Sequence, residues 1–512
     1  MGDNIDHYEA YLGQHKLANI DSSKLFVDLE DLSASTKYQF TLVECLMNGD
    51  AVQKRIDFVT EDEPIVIDVT QPPYRVPMYS EEPMTEQIQQ AIDDCPKGGI
   101  VRIPEDAFVI TGGLTLKSDM TLEVNGTLKG SDDPRQYTVS DHYPIDQQNL
   151  VMSRYEGIEL LCFKSLINVG YLNPDDRKSV TCHNVKITGS GAIIGGGQEL
   201  GDQMEQPFAD STKYPEYLSD GIPGRRVRGR LISVIQTKDF SISGVTLKQP
   251  SSWTVHVLYS NNVTIHKIRI DSRGVDNGDG IDPDSSQNIY IFDVNFQTSD
   301  DCIAIKSGKN PEGNIINIPT TNVNIFNLQM TCGHGFAIGS EQSGGVNRIY
   351  ISECVIADTD NGIELKASNA RGGYISNVYI DHCQIDSLFM HSVNYNSDGK
   401  RSDQLPVFKN IFVSDCEILG NTHDVDNLGN TLTSKGKSVE IIGFKDQQRI
   451  SNIQNIYFKN VLLQVPTNLF YLEMCDRVIL ENVHGKNNEC QLKIGAHVKH
   501  LEINNERISN NE

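Results

Sequence analysis

The stretch Asn288-Ile-Tyr-Ile-Phe-Asp-Val-Asn-Phe, echoed by Asn322-Val-Asn-Ile-Phe-Asn-Leu-Gln-Met, decides the architecture. The same unit appears earlier as Asn184-Val-Lys-Ile and Asn262-Val-Thr-Ile-His-Lys-Ile-Arg-Ile. It returns later as Arg348-Ile-Tyr-Ile-Ser-Glu-Cys-Val-Ile, Asn377-Val-Tyr-Ile-Asp-His-Cys-Gln-Ile, Asn410-Ile-Phe-Val-Ser-Asp-Cys-Glu-Ile and Asn455-Ile-Tyr-Phe-Lys-Asn-Val-Leu-Leu. Each unit is rich in β-branched and aromatic residues, bounded by Asn, Asp and Gly, and lacks a 3.6-residue stripe, so it reads as a strand. Recurrence at intervals of a few tens of residues means stacked coils. The expectation is an all-β chain built as a parallel β-helix, with like residues of successive coils about 4.8 Å apart.

Cys354, Cys383 and Cys416 fall at one place in three successive units, where other coils carry Val294, Leu328 and Val461. They read as rungs of a core ladder. The eleven cysteines show neither dense spacing nor paired CxxC motifs, so reduced, buried thiols are expected and no metal is assigned to them.

The first sixty residues differ. Lys24 to Leu32, Thr36 to Cys45 and Arg55 to Thr60 alternate apolar and polar residues, as sandwich strands do. The run Leu32-Ser-Ala-Ser-Thr-Lys-Tyr-Gln-Phe resembles the late strands of a fibronectin type III module, here abridged by about two early strands. The reading is a small β-sandwich-like module at 1–60, a linker at 61–74 containing three prolines, and the β-helix at 75–512. The apolar spacing from Thr85 to Cys95, ended by Pro96 and Gly98, predicts one helix capping the coil.

A balance of 69 acidic against 44 basic side chains, net −25, opposes the basic footprint of a nucleic-acid or membrane binder. Residues 1–7 carry neither a basic nor an apolar leader region, and no apolar run is long enough to span a bilayer, so a cytoplasmic location is expected, or a secreted one if a leader has been trimmed away.

Four segments align: Asp279-Gly-Ile-Asp-Pro-Asp, Asp301-Cys-Ile-Ala-Ile-Lys, His334-Gly-Phe-Ala-Ile-Gly and Asn361-Gly-Ile-Glu-Leu-Lys. Their spacing is about one coil each. Stacked in register, they place Asp279, Asp301 and His334 on one face. Alternation sends Ile303, Ile305, Ile363 and Leu365 inward and turns Lys306, Glu364 and Lys366 to the same groove. Asp300 and Asp301, being consecutive, are expected to face apart. Crowded carboxylates cannot all ionise, and glycoside hydrolysis needs one protonated and one ionised acid. Alone, each motif reads as an ordinary turn. An EF-hand is ruled out because Gly280 at the sixth position would make Val275 the first ligand.

Asn277-Gly278-Asp279-Gly280, Ser299-Asp300-Asp301, Gly333-His334-Gly335 and Leu365-Lys366 resemble the signature motifs of glycoside hydrolase family 28, the polygalacturonases. The likeness extends to Asp94-Cys-Pro-Lys-Gly-Gly-Ile-Val-Arg-Ile-Pro and to Trp253-Thr-Val-His. It implies a right-handed, pectin-lyase-like parallel β-helix that hydrolyses galacturonan with inversion, without metal or other cofactor. It further implies Asp300 as general acid, Asp279 and Asp301 as activators of water, and Asn277, His334 and Lys366 as groups that position or charge-balance substrate. One departure is Glu364, where the family usually carries arginine; either Arg371 replaces the lost cation or the sugar at that subsite is different.

The basic cluster Arg225, Arg226, Arg228, Arg230 reads either as a solvated loop or as a groove wall that pairs with uronate carboxylates, with Arg228 and Arg230 as the candidates. Trp253 reads as a sugar platform or a packed residue, and His256 and His266 as core or surface residues. Gly189 to Gly197 mimics a dinucleotide loop but is expected to lack a following helix, so it reads as a turn between coils. The insertions Gly197 to Arg230 and Ser387 to Gln404 would block one end of a groove, which favours attack from the chain end. The rival readings are a hydrolase of another pectic glycan such as rhamnogalacturonan, a galacturonan lyase using calcium, and a non-catalytic polysaccharide-binding β-helix. Sequence assigns no oligomeric state.

Overall fold

The computed structural model describes residues 5–140, 142–396, 398–420, 423–425, 431–434, 438–447, 449–464, 469–485, 491–504 and 506–508. Two compact units are present, Met1–Val66 with Gly98–Ile100, and Ile67–Lys97 with Val101–Glu512.

The first unit is one antiparallel sheet. A hairpin of Ile5–Leu12 and His15–Asp21 pairs through its first strand with Lys37–Leu46, which pairs in turn with Ala51–Val59. The segment Lys24 to Leu32, expected as a strand, has no regular structure. Its Leu25, Phe26 and Val27 instead line an apolar hollow with Tyr8, Ile20, Phe40 and Leu42, so alternation here serves packing.

In the second unit the Asn-led repeats pair in parallel from Asn261–Asp271 through Gln287–Gln297, Thr320–Met330, Val346–Ser352, Tyr374–Asp381 and Val407–Ser414 to Ile453–Leu463. The coil is a right-handed parallel β-helix, the hand favoured by crossovers between twisted parallel strands. Why asparagine leads each repeat is visible at the corners. Asn288, Asn322, Asn377, Asn410 and Asn455 all have positive φ, a conformation asparagine tolerates. Their amides donate along the coil: Asn322 to Asn288 at 2.5 Å, Asn410 to Asn377 at 2.9 Å and Asn455 to Asn410 at 2.8 Å. Aromatic rungs stack likewise, His266 on Phe292 on Phe326 at 4.8 Å per step. Cys354, Cys383 and Cys416 are buried as core rungs, and the cysteines among the described residues are free thiols.

The helix Thr85–Asp94 buries Ile88, Ala91 and Ile92. Gln89 exchanges two hydrogen bonds with the backbone of Thr115, covering an edge strand that would otherwise offer unpaired groups. Contrary to expectation, the Gly-rich turn after Ala192–Ile194 is followed by a helix, Gly197–Glu205, with Leu200 and Met204 buried. The amide of Gly197 donates to the Gln249 carbonyl at 3.0 Å, so this helix start is occupied by protein. Among the described residues no helix is long and apolar enough to cross a membrane.

Twelve described strands form a second parallel sheet that floors the site. Its central members are Val255–Leu258, Ile281–Asp284, Asp301–Ile305, Gly335–Ile338, Ile363–Ala367 and Leu388–Ser392. Val255, Ile281, Ile303, Phe336, Ile363 and Leu388 stack in one inward column. This is the register that the four aligned motifs imply.

Candidate active site

A cleft of about 340 Å³ opens over this sheet. Asp279, Asp300, Asp301, Asn277, Lys306, His334, Glu364 and Lys366 all line it. Glycine spacing makes the approach possible. A side chain at Gly280 would meet the Cys302 carbonyl at 2.3 Å, and Gly333, at φ 79°, leaves 2.5 Å to the Asp300 carbonyl. The coils therefore stack closely enough for the His334 amide to donate to that carbonyl at 3.1 Å.

Asp300 and Asp301 do not face apart. Asp300 lies in the bend before the strand, and the ladder shifts by one residue between Asp301 and Ile303, so that Asp301 pairs with Gly335 and Ile303 with Phe336. Cys302 takes the extra place inside, and this bulge breaks alternation. The two carboxylates and the His334 ring offer atoms that all lie within 4.8 Å of one another. His334 Nδ1 stands 3.0 Å from Asp300 and 3.9 Å from Asp301. These three have the spacing of a metal cluster, but a histidine bonded to a carboxylate and raised in proton affinity is a poor neutral ligand.

The charges are arranged as pairs. Lys306 Nζ is 3.6 Å from Asp279, 3.4 Å from Asp282 and 3.5 Å from Glu341, and 4.7 Å above the Trp253 ring. Lys366 Nζ is 3.3 Å from Asp301 and 3.0 Å from Glu364. Burial, then the charges of Asp282 and Asp300, hold the Asp279 carboxyl well above the usual range. Burial likewise raises Asp301 against the pull of Lys366, and lifts Asp282 to about 7. Asp300 goes the other way. Burial works to raise it, but the facing His334 overrides this and holds it below the usual range. Burial opposes charge on His334, yet Asp300 raises it to about 9. Both lysines stay charged despite burial, because carboxylates surround them.

Glu364 is already neutralised within the protein. Besides Lys366 it accepts from His391 Nε2 at 2.7 Å; burial is overcome by these partners and its carboxyl falls to about 2. Arg371 is not its replacement. It is fully buried outside the cleft lining, donating to the Ser340 carbonyl, Asn310 Oδ1 and the Asn396 carbonyl. Arg228 and Arg230 are buried too. Arg228 donates to Asn277 Oδ1 at 2.7 Å and sits 3.1 Å from Glu205, while Arg230 packs over the Tyr155 and Trp253 rings. All three brace the site from behind, and the arginine of the cluster that lines the cleft is Arg225.

The repeats that organise the floor also organise its likeness to known proteins. The sequence profile of glycosyl hydrolases family 28 matches residues 174–395, the span carrying every one of these motifs.

Over this span the chain is similar to glycosyl hydrolase family 28.

Among family 28 relatives, exo-poly-alpha-D-galacturonosidase of Dickeya chrysanthemi is 28% identical over 71% of this chain and 63% of its own length. The alignment thus spans under two thirds of that relative. The Yersinia enterocolitica family 28 exopolygalacturonase structure superposes with a TM-score of 0.75 at 22% identity, covering 98% of this chain and 94% of that one. A Thermotoga maritima exopolygalacturonase superposes at 0.64 and 23% identity, covering 86% and 92%. At these identities the structural likeness speaks for the fold.

Reasoning from sequence missed Glu156, Asp220, Tyr395 and Asn396 in the cleft, because loops bring them there without any repeat to announce them. Trp253 proves packed: it is 2% exposed and stacks on Tyr155 at 4.8 Å, while still flooring the cleft. His256 is buried beside Asp284 at 3.5 Å.

Proposed function

We propose that this chain hydrolyses α-1,4-linked galacturonan or oligogalacturonides, acting from the chain end with inversion. The observation that carries the reading is the gathering of Asp279, Asp300 and Asp301 in one cleft with a lysine beside two of them and a histidine against the third. Asp300 is the acid that protonates the leaving oxygen. In the free site its proton resides on the facing imidazole, so the Asp300–His334 couple holds one proton to deliver, as interacting groups do. Asp279 and Asp301 bracket the attacking water, and Lys306 and Lys366 each favour the ionised form of one of them.

Attack from the chain end is supported by the two insertions. Asp220 and Arg225 come from one, Tyr395 and Asn396 from the other, and all four line the cleft. The insertions are joined to each other: the Asn396 amide donates to Asp220 at 2.9 Å, and Arg226 meets Asp398 at 3.1 Å. Exo action by the Dickeya relative agrees with this.

A reducing-end assay on polygalacturonate, with chromatography of products and a chelator arm, tests the proposal. Monomer or dimer release, insensitive to chelator and abolished in Asp300→Asn, is expected. Unsaturated, ultraviolet-absorbing products would instead mean a lyase, and mixed oligomers an endo-acting hydrolase.

A further inference from the structure

The cations lining the cleft differ in how far the protein already occupies them. Lys306 has three carboxylates around it, Lys366 has two, and His334 is bonded to Asp300. Arg225 is different. Its Nε donates to Asn277 Oδ1 at 2.7 Å, and its closest carboxylate, Glu156, is 3.9 Å away. Its terminal nitrogens donate to no group among the described residues, and its side chain is 17% exposed. Of the lining cations it alone presents an unengaged planar fork, the shape that matches a carboxylate with two parallel hydrogen bonds.

The fork is also held in place. Gly224, at φ 83°, starts a short turn at Arg225, and a side chain there would meet the Glu205 carbonyl at 2.6 Å. Arg226 is buried against Glu156 at 2.9 Å and Arg228 against Glu205 at 3.1 Å, so the residues flanking Arg225 are anchored. Its partner Asn277 in turn reaches Asp300 at 3.3 Å, which ties the guanidinium to the acid through one side chain. The alternatives are closed: Glu364 stands where family members carry arginine and is neutralised by Lys366 and His391, and Arg371 is sealed outside the cleft.

We propose that Arg225, supplied by an insertion, receives the carboxylate of the uronate beside the scissile bond and is the residue that makes this chain prefer a free acid over its methyl ester. The proposal rests on the hydrolase reading above. It relocates recognition from the last motif of the floor sheet to the cleft wall. Neutral or esterified sugars leave the fork unpaired, and that is the source of discrimination.

Calorimetric titration tests it without turnover. Trigalacturonate and its fully methyl-esterified form are titrated into Asp300→Asn, and into the same protein carrying Arg225→Gln or Arg225→Lys. The Asp300→Asn protein is expected to bind the acid on the order of 100-fold more tightly than the ester. Arg225→Gln should bring the two affinities together by weakening the acid alone, and Arg225→Lys should retain part of the preference as a charge without a fork. Preference retained in Arg225→Gln would overturn the proposal, as would equal weakening toward both ligands, the mark of a merely structural role. If the glutamine protein lacks a cooperative melting transition, the lysine variant decides: full preference there overturns the proposal, and a partial loss supports it. Failure here leaves the hydrolase reading standing if the unmutated chain still cleaves polygalacturonate; an inactive chain removes both.

Discussion

His334 Nδ1 lies 3.0 Å from a carboxylate oxygen of Asp300, and the two hold each other charged. The imidazole rises to about 9 from an ordinary 6.5, so its contribution to stability is complete below 6.5 and is lost as pH climbs through 9. The lowered Asp300 contributes above its ordinary 3.8 and loses that contribution as pH falls through its depressed value. The couple is intact between these limits. The alkaline limb of kcat/KM is therefore expected near pH 9, and His334→Asn should move it to lower pH while cutting kcat by about 100- to 1,000-fold. A limb that stays in place would separate His334 from proton delivery.

Asp279 is buried with one oxygen lacking a hydrogen bond, and burial and its acidic neighbours keep its carboxyl raised. A cluster kept for chemistry costs stability. Asp279→Asn should abolish turnover yet raise the melting temperature by about 1–3 °C, as measured by calorimetry. A lower melting temperature would contradict the reading of crowded charge.

Lys306 is the cation shared by Asp279, Asp282 and Glu341. Lys306→Met leaves three buried acids without it and should destabilise the fold by about 3–5 kcal/mol in denaturant unfolding. Lys499→Ala, at an exposed position, should change stability by less than about 0.5 kcal/mol.

Restoring the family's usual cation at Glu364 should harm this chain. Glu364→Arg replaces the carboxylate now 3.0 Å from Lys366 with a second cation and removes the acceptor of His391. Loss of roughly 2–4 kcal/mol of stability is expected, with no gain in substrate affinity. Improved KM in the variant would show that the neutralised acid is an impediment and not a fixture.

Trp253 is the single tryptophan, packed under Lys306 at the cleft floor. Its emission should therefore change as oligogalacturonate is titrated into Asp300→Asn, and should stay constant with a neutral oligosaccharide that lacks carboxylates. Unchanged emission with both would place the ligand away from the floor.

The fold was readable because its repeats are built on one corner: an asparagine that adopts positive φ and also donates a side-chain hydrogen bond to the asparagine of the preceding coil writes itself into the sequence coil after coil. The gathering of Asp279, Lys306 and Lys366 in one cleft was readable because it inherits this register. Two things escaped. Local geometry that breaks the period, the bulge at Cys302, reversed the expected orientation of Asp300 and Asp301. Long-range closure by loops, which places Arg225 in the cleft and seals Arg371 outside it, leaves no periodic trace. The opening hairpin Ile5–Leu12 and His15–Asp21 was missed because its strands carry weak alternation.

The bond between Asn396 and Asp220 links two insertions far apart in the chain. Because the walls are sewn to one another while the clustered acids Asp279, Asp300 and Asp301 belong to the floor, the mouth and the proposed chemistry are separable inheritances. Exchange of these two loops as a matched pair would retailor the length of glycan admitted and leave the reaction beneath them untouched; exchange of either one singly would unpick the seam.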